Sequence, residues 1–534
     1  MKKILVLTTA LFIAILMMAY LYFKGLNADQ RNSDGSLYAA TLNSGMVLSF
    51  ENDKSIIDML SGQGIFQEIT TEDRYAEMES LKAYLVGNPA VNKLIAKQAI
   101  YISLIPDDDK GIDFLYSCQL NATISTAQLL SAIKQNSLSL ITKQNYSEIV
   151  LPDSNTFYLG VKDRVVLLSA KLNPIKEILK AELKSNAFTE YIKSNSRIRK
   201  NSLAELYINF EKLPRLMGSI TPGKLTGELE VFNSLQGFAS FNYNFSKEKM
   251  LLSGSTSIED HNYHKTFAEQ HPQKISITNI LPINTANYCL FAFDDYASWK
   301  NQLKNWFLEQ KTTLERKESF AKYNQQYRID LEKTIPQYIA NQFLTFQLST
   351  SEKLGAISLS NGEKLQQLLL DLSSDYSPDI SLMKDDKLLY YLFGEPFKNF
   401  KRPYYCIIDN YMVFANHAST IQSFLNNYRN NRLLISDQEY GDALNQLSST
   451  ANVSYYISFK NSADIFVKNL YLPYYKQLRS EKGMRDYTAF IYQLSADKGK
   501  FQSNILLSKK ANLVLEDSSL VKVDSTTSVQ KTEN

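Results

Sequence analysis

The chain has 534 residues, which is enough for two to four domains and for a sizeable hydrophobic core. Its 58 basic and 55 acidic residues leave a formal charge of +3, so the charge gives no indication of a nucleic-acid partner. The three cysteines, Cys118, Cys289 and Cys406, are too few for a disulfide framework, and each lies in an apolar segment. We therefore expect buried, unreactive thiols.

The amino terminus has the composition of a membrane anchor. Residues 4–23 carry no charge, and about 20 helical residues cross a bilayer core of about 30 Å. Lys2 and Lys3 precede this segment, which favours a cytoplasmic position for residues 1–3 and export of the rest of the chain. A cleaved signal peptide is the alternative, although its apolar region would be shorter and followed by a small-x-small site. We expect a single-pass anchor in the inner (cytoplasmic) membrane, with the bulk of the chain on the periplasmic side.

Two polar segments flank the part of the chain that is expected to fold. Residues 24–35 are mostly polar and lack periodicity, which predicts a short tether. Residues 509–534 contain few large apolar groups, so we expect an exit segment and a disordered tail.

The region between these ends contains one pattern twice. Residues 46–60 and 289–303 share an apolar strand ending in Phe50 or Phe293, followed by a polar cap and a helix. Three further matches follow in the same order: residues 157–179 with 404–425, 204–210 with 453–459, and 239–246 with 489–495. A looser match joins the strand pair at 99–105 and 113–120 to the pair at 343–349 and 354–360. Because the order is preserved, we expect two tandem copies of one unit.

The two copies would occupy residues 36–258 and 280–508, joined by a linker at 259–279. Their strand segments are rich in Tyr, Phe, Val and Ile, and several are separated by only two to eight residues, which indicates antiparallel pairing. Helical segments carry apolar residues three and four positions apart, as at Leu129 and Ile133. The fold class is therefore α+β, with an antiparallel sheet of six or seven strands in each copy and helices on one side.

Motifs for nucleotide or nucleophilic chemistry are absent from the sequence. Gly62 and Gly64 lack the third glycine of a dinucleotide-binding turn, and no P-loop, HExxH, CxxC or GxSxG occurs. Residues 107–109 are three aspartates between Pro106 and Gly111, which is typical of a solvated turn between strands. The sequence thus offers no catalytic, cofactor-binding or metal-binding residue.

Histidines provide the remaining candidates for chemistry. His261, His264 and His271 lie near Glu259 and Asp260 and form the densest set of potential metal ligands. Because this set lies in the linker and has no counterpart in the first copy, we interpret it as a solvated polar segment.

His417 follows a predicted strand, and a catalytic triad there would need a serine and a carboxylate supplied by folding.

Two further clusters are ambiguous. The basic stretch Lys193, Arg197, Arg199 and Lys200 is most simply a solvated loop, with anionic lipid headgroups as the alternative partner.

Trp299 and Trp306 share one face of a predicted helix. A core stripe is favoured, and an exposed patch for a partner is the alternative.

An anchor followed by two divergent copies of a Tyr-rich α+β unit resembles the uncharacterised membrane-anchored envelope proteins of bacteria that carry a duplicated domain of unknown function. The copies begin near Leu37-Tyr38 and Leu281-Pro282. The resemblance rests on architecture and repeats, with no diagnostic motif, and implies an envelope location without implying an activity.

Three functional hypotheses remain open. The first is a non-catalytic interaction or scaffold module with an envelope protein partner, supported by the anchor, the repeats and the lack of catalytic groups. The second is a carrier or sensor of an apolar, lipid-like ligand held between sheet and helices. The third, an enzyme whose site is assembled from distant residues, would require a concave site around His417 or a carboxylate cluster.

Overall fold

The computed structural model describes residues 34–61, 64–107, 111–135, 138–196, 202–223, 230, 232–244 and 249–510. The predicted anchor and most of the predicted tether and tail lie outside these residues. Within them, no helix combines the length and the apolar character needed to cross a bilayer.

Within the described part of the chain, twenty strands form one antiparallel sheet, and two short strands form a separate ladder. The strands of the amino-terminal half are β1 (Met46–Glu51), β2 (Ala99–Asp107), β3 (Gly111–Gln119), β4 (Ser139–Thr142), β5 (Ser147–Val150), β6 (Thr156–Lys162), β7 (Val165–Ser169), β8 (Glu205–Asn209), β9 (Gly237–Asn244) and β10 (Lys249–Ile258). Those that follow are β11 (Gln273–Lys274), β12 (Thr285–Ala292), β13 (Ile339–Leu348), β14 (Lys353–Leu359), β15 (Ser373–Ser377), β16 (Ile380–Met383), β17 (Tyr404–Ile408), β18 (Tyr411–Ala415), β19 (Thr450–Ala451), β20 (Val453–Ser458), β21 (Tyr487–Asp497) and β22 (Lys500–Lys509).

Both halves of the sheet have the same strand order. The first half runs β4-β5-β6-β7-β3-β2-β1-β8-β9-β10. The second half runs β15-β16-β17-β18-β14-β13-β12-β20-β21-β22. Each half therefore has ten strands, so the expectation of six or seven was too low.

The two halves share one sheet because β10 pairs with β22 in antiparallel register. Ser253 lies opposite Asn504 near the middle of this ladder. The last strand of each half thus covers the edge of the other, and the free edges of the 20-stranded sheet are β4 and β15.

The helices of the described residues are α1 (Gly35–Thr41), α2 (Lys54–Ser61), α3 (Ile65–Ile69), α4 (Glu72–Leu81), α5 (Pro89–Leu94), α6 (Thr126–Gln135), α7 (Leu172–Lys180), α8 (Ala187–Asn195), α9 (Leu213–Met217), α10 (Tyr296–Glu309), α11 (Thr313–Tyr327), α12 (Leu331–Thr334), α13 (Gly362–Leu369), α14 (Leu388–Phe393), α15 (Ala418–Arg429), α16 (Gln438–Leu444), α17 (Ala463–Asn469) and α18 (Leu472–Arg479). Several helices begin at a residue whose side chain caps the first turn. At α10, the Asp295 carboxylate accepts a hydrogen bond from the Ser298 amide, and at α13 the Asn361 side chain accepts one from the Lys364 amide.

Helices cover both faces of the sheet, which corrects the expectation of helices on one side. We call front the face covered by α4 to α6 in the first half and by α10 to α14 in the second. The back face is covered by α1, α7 and α8 in the first half and by α15 and α16 in the second. Strands covered on both faces direct alternate side chains toward two cores, as Val47 and Leu48 do.

The register also revises one match between the halves. Tyr207 lies opposite Val47, and Tyr456 lies opposite Tyr288. If the two tyrosines are equivalent, as their sequence contexts indicate, the counterpart of Phe50 is Phe291 rather than Phe293. The two-residue shift keeps the side chain on the same face of the sheet.

The interpretations of the cysteines and tryptophans are confirmed. Cys118, Cys289 and Cys406 are buried free thiols. Trp299 is completely buried, and Trp306 is 5% exposed, so both belong to the front core of the second half.

Strand β10 tolerates no side chain at Gly254. A Cβ atom there would lie 1.8 Å from the Ser240 carbonyl oxygen on β9. We expect Gly254→Ala to lower the free energy of unfolding by about 2 to 3 kcal/mol, because β9 or β10 must shift. The matched control is Gly441→Ala in the interior of α16, where nothing lies within 4 Å of the added methyl group. The Gly441→Ala variant should be more stable than the unmodified protein by about 0.5 to 1 kcal/mol. Urea unfolding measures both, and equal effects would contradict the register of β9 with β10.

Candidate functional site

The linker histidines do not form a common site. His264 is buried, while His261 and His271 are exposed and contact Glu259 and Asp294 respectively. Across the described ranges, no group of three or more His, Cys, Asp or Glu side chains is arranged to hold a metal ion.

The expectation of a solvated linker is wrong for His264, because a 3-10 helix at Tyr263–Phe267 packs into the front core of the second half. The His264 ring is hydrogen-bonded to the Tyr455 hydroxyl and to Oδ1 of Asn262. Burial lowers the pKa of His264 to about 3, so the ring is neutral in the folded protein.

The other candidates lie apart from one another. His417 is exposed at the start of α15. Lys193 forms an ion pair with Asp34 at 2.7 Å, and the rest of the basic stretch lies outside the described residues. Of the three consecutive aspartates, Asp107 belongs to an ion-pair network, and the other two are also outside the described residues.

An apolar concave feature lies on the front face, where the two halves meet. A cavity of about 390 Å³ lies between the sheet and a roof made by α3, α4, α18 and Met484. A smaller cavity of about 100 Å³ adjoins it and shares the lining residues Leu60, Met78 and Ile102. We call the two cavities together the apolar cleft.

Eight neighbouring strands form the floor of the cleft. In sheet order they are β3, β2, β1, β8, β9, β10, β22 and β21, and each contributes one or two side chains of the front face. The larger cavity is floored by Ile112, Phe114, Ile102, Leu104, Met46, Leu48, Leu206, Tyr243, Met250, Leu252, Ile505, Leu507 and Phe490. At about 4.8 Å per strand the floor is about 34 Å long, and two alternate residues make it only about 7 Å wide.

The floor residues are apolar but incompletely covered. Met46, Leu48 and Leu206 are half-buried, whereas Val47 and Tyr207, which point to the back face, are completely buried. The helices of the front face therefore leave part of an apolar surface without protein contacts in the first half.

The second half fills the same face with aromatic rings. By the register above, Tyr455 occupies the position of Leu206, and it packs against Phe232 and His264. Trp299 stacks on Phe293 with ring centroids 4.9 Å apart. The residual cavity on this face is only about 10 Å³. The two halves thus share a strand order but differ in how the front face is packed.

Contacts from the second half hold the roof of the cleft. The Glu68 carboxylate on α3 accepts hydrogen bonds from the Tyr487 hydroxyl and from Nζ of Lys509, both at 2.7 Å. The Gln477 side-chain amide on α18 donates to the carbonyls of Gln67 and Glu68 at 2.8 and 2.9 Å. The site of the first half is therefore completed by the second.

An ion-pair network closes the cleft beside β3. The Arg74 guanidinium, which lines the larger cavity, lies 2.7 Å from Glu77, 3.1 Å from Asp107 and 3.4 Å from Asp113. Burial raises the pKa of Asp113, and a hydrogen bond from Ser169 opposes this shift. Three carboxylates thus surround one guanidinium.

Two other cavities have charged side chains in their lining. One of about 350 Å³ lies on the back face between α1 and α7, and includes Asp107 and Lys171. The other, about 800 Å³, is a groove with four lysines beside α7, where Lys162 donates to the Leu179 carbonyl and Lys176 lies over the Tyr146 ring. Neither brings together groups that suggest a reaction.

Sequence reasoning anticipated an apolar space between sheet and helices but did not locate it. The alignment of the two halves contained a signal for the position of this space. Leu206 aligns with Tyr455 when residues 204–210 are matched with 453–459, and a smaller aliphatic residue at an equivalent position indicates weaker packing.

Comparisons with known proteins identify no family. No family model matches the sequence, and no curated protein matches it. Among solved structures, the chain is similar to one described as "Structure of crystal form I of TP0453", with 9% identity and a TM-score of 0.25. The similarity covers 45% of this chain and 88% of that chain.

The buried histidine predicts a specific pH dependence of stability. The pKa of His264 in the folded protein, about 3, lies below its ordinary value of 6.5, so the unfolded chain binds the proton first as the pH falls. Between pH 7 and pH 5 this difference should cost about 2 kcal/mol of unfolding free energy. His264→Gln should lose less stability than the unmodified chain over that interval, as measured by urea unfolding at each pH. His417→Gln, at an exposed position, should lose as much stability between pH 7 and pH 5 as the unmodified chain does. The same loss in His264→Gln would contradict the buried neutral ring.

Proposed function

We propose that this protein binds a long apolar molecule in the apolar cleft and acts as a carrier or sensor of that molecule. The observation that carries the proposal is the incompletely covered floor of the cleft, where half-buried Met46, Leu48 and Leu206 line a cavity of about 390 Å³. Cavities of a few hundred Å³ lined mainly by apolar side chains are typical ligand sites.

The chemistry of the lining supports binding rather than catalysis. Aliphatic and methionine side chains dominate the larger cavity, and its charged residue, Arg74, is neutralised by carboxylates. Methionines such as Met46 and Met250 adapt to ligands of different shape because the side chain is unbranched and flexible. The proposal therefore includes no reaction.

The wider setting of the protein is part of the same proposal. Residues 4–23 would anchor the chain in the inner membrane and place the cleft on the periplasmic side, next to a source of apolar molecules. Residues 36–258 and 280–508 would be two copies of one unit, supported by the shared strand order. In the first copy the front face would contain the open cleft, while in the second copy aromatic side chains would fill the equivalent space.

An interaction or scaffold role is the second candidate. Leu308 and Leu314 are 66% and 74% exposed where α10 is followed by α11. Exposed leucines close together in the chain are a feature of protein-binding surfaces. This role does not require the cleft, so the two candidates respond differently to variants that fill it.

Filling the cleft tests the proposed function. Leu206→Trp adds a large ring at the middle of the floor, and we expect it to weaken binding of a neutral pyrene-labelled long-chain alcohol at least about tenfold. Fluorescence titration of the full-length protein in polymer-stabilised membrane particles measures the affinity. Mass spectrometry of organic extracts should also show less lipid per protein in the variant.

The matched control is Leu308→Trp, which adds the same volume at an exposed position. It should bind the labelled alcohol as the unmodified protein does. Equal binding by Leu206→Trp and the unmodified protein would overturn the carrier proposal and leave the scaffold candidate.

A further inference from the structure

The shape of the apolar cleft restricts the ligand. Its floor extends across eight strands but is only about two alternate residues wide, so a volume of about 390 Å³ is distributed along a narrow path. A compact ring system can occupy only part of such a path. One extended, unbranched hydrocarbon chain matches it.

The charges of the lining restrict the polar end of that chain. Among the described residues, Arg74 and Lys82 are the basic side chains that line the two cavities. Arg74 already lies within 3.4 Å of Glu77, Asp107 and Asp113, so its guanidinium is less available to a ligand anion than an ammonium group without an ion-pair partner. Lys82 is half-buried and forms no ion pair with any residue that the structure describes.

Lys82 also has an unusual backbone setting. It begins the π-helical turn Lys82–Val86 that follows α4, and the Gly87 amide donates to its carbonyl at 2.7 Å. π-helical turns occur often at functional sites. Here the turn places both Lys82 and Val86 in the lining of the smaller cavity.

The titratable side chains of the smaller cavity leave Lys82 as the cation of its described lining. Glu79 lines the same cavity, and burial together with the nearby Glu79 carboxylate raises the pKa of the Tyr75 hydroxyl. Tyr116, on the floor, is protonated because burial raises its pKa. Among the described lining residues, a ligand anion therefore meets the Lys82 ammonium group and one carboxylate, that of Glu79.

We propose that the ligand is a single-chain amphiphile with an anionic head, a carboxylate or a phosphate, and that the Lys82 ammonium binds this head while the chain lies along the floor. The inference rests on the proposed function because it concerns the same cleft. Lys82 is then a specificity-determining residue, and the chain supplies most of the affinity through burial of apolar surface.

Ligands with one chain and different heads test this assignment. The full-length protein is loaded with the neutral pyrene-labelled alcohol, and oleate, oleyl phosphate and oleyl alcohol are compared as competitors. For the unmodified protein we expect at least one of the two anions to displace the label at about tenfold lower concentration than oleyl alcohol. The stronger anion identifies the head as carboxylate or phosphate.

Two lysine variants complete the experiment. Lys82→Glu should abolish the preference for the two anions over oleyl alcohol. Lys93→Glu makes the same charge change at an exposed position on α5 and should keep the preference. Equal displacement by all three competitors, or a preference that survives Lys82→Glu, would overturn the role of Lys82 while the proposed function stands. Failure of the labelled alcohol to bind at all would overturn both.

Discussion

The pairing of β10 with β22 is the interaction on which the rest of the structure depends. Each of these strands would otherwise be an exposed edge about ten residues long, with unpaired amide and carbonyl groups. Their ladder turns two ten-stranded halves into one sheet. It also makes the cleft possible, because Leu252 on β10 and Ile505 on β22 lie opposite each other on its floor. Neither half alone contains the complete floor or the complete roof.

The two halves show how one architecture can hold a space or fill it. Strand order decides where side chains of the front face point, but side-chain volume decides whether they touch the helices above them. In the second half, Trp299, Tyr455 and their aromatic neighbours occupy this layer. In the first half, aliphatic residues such as Leu206 leave it open, and α18 of the second half covers the opening. Divergence after duplication would be sufficient for this difference, without any change of fold.

Local patterns in the sequence predicted the longer strands well, because Tyr, Phe, Val and Ile alternate in them. They missed the short outer strands such as β4 and β15, whose four or five residues are too few to show a clear alternation. The segment around His264 is predicted to be a solvated linker because it has no counterpart in the first copy, yet the buried rings of Tyr263 and Phe267 anchor it in the core. The roof contact between Glu68 and Tyr487 joins residues 419 positions apart, and no local pattern encodes such a distance.

The exposed apolar surface of the cleft would favour occupation by the proposed ligand. Met46, Leu48 and Leu206 are only half-buried, so apolar surface of the floor remains in contact with solvent. Each Å² of such surface that a ligand covers is worth about 25 cal/mol. Water gains little there, because apolar walls offer few hydrogen-bond partners. A hydrocarbon chain would cover this surface without requiring such partners, and the Glu68 contacts that hold the roof in place would keep the covering layer above it.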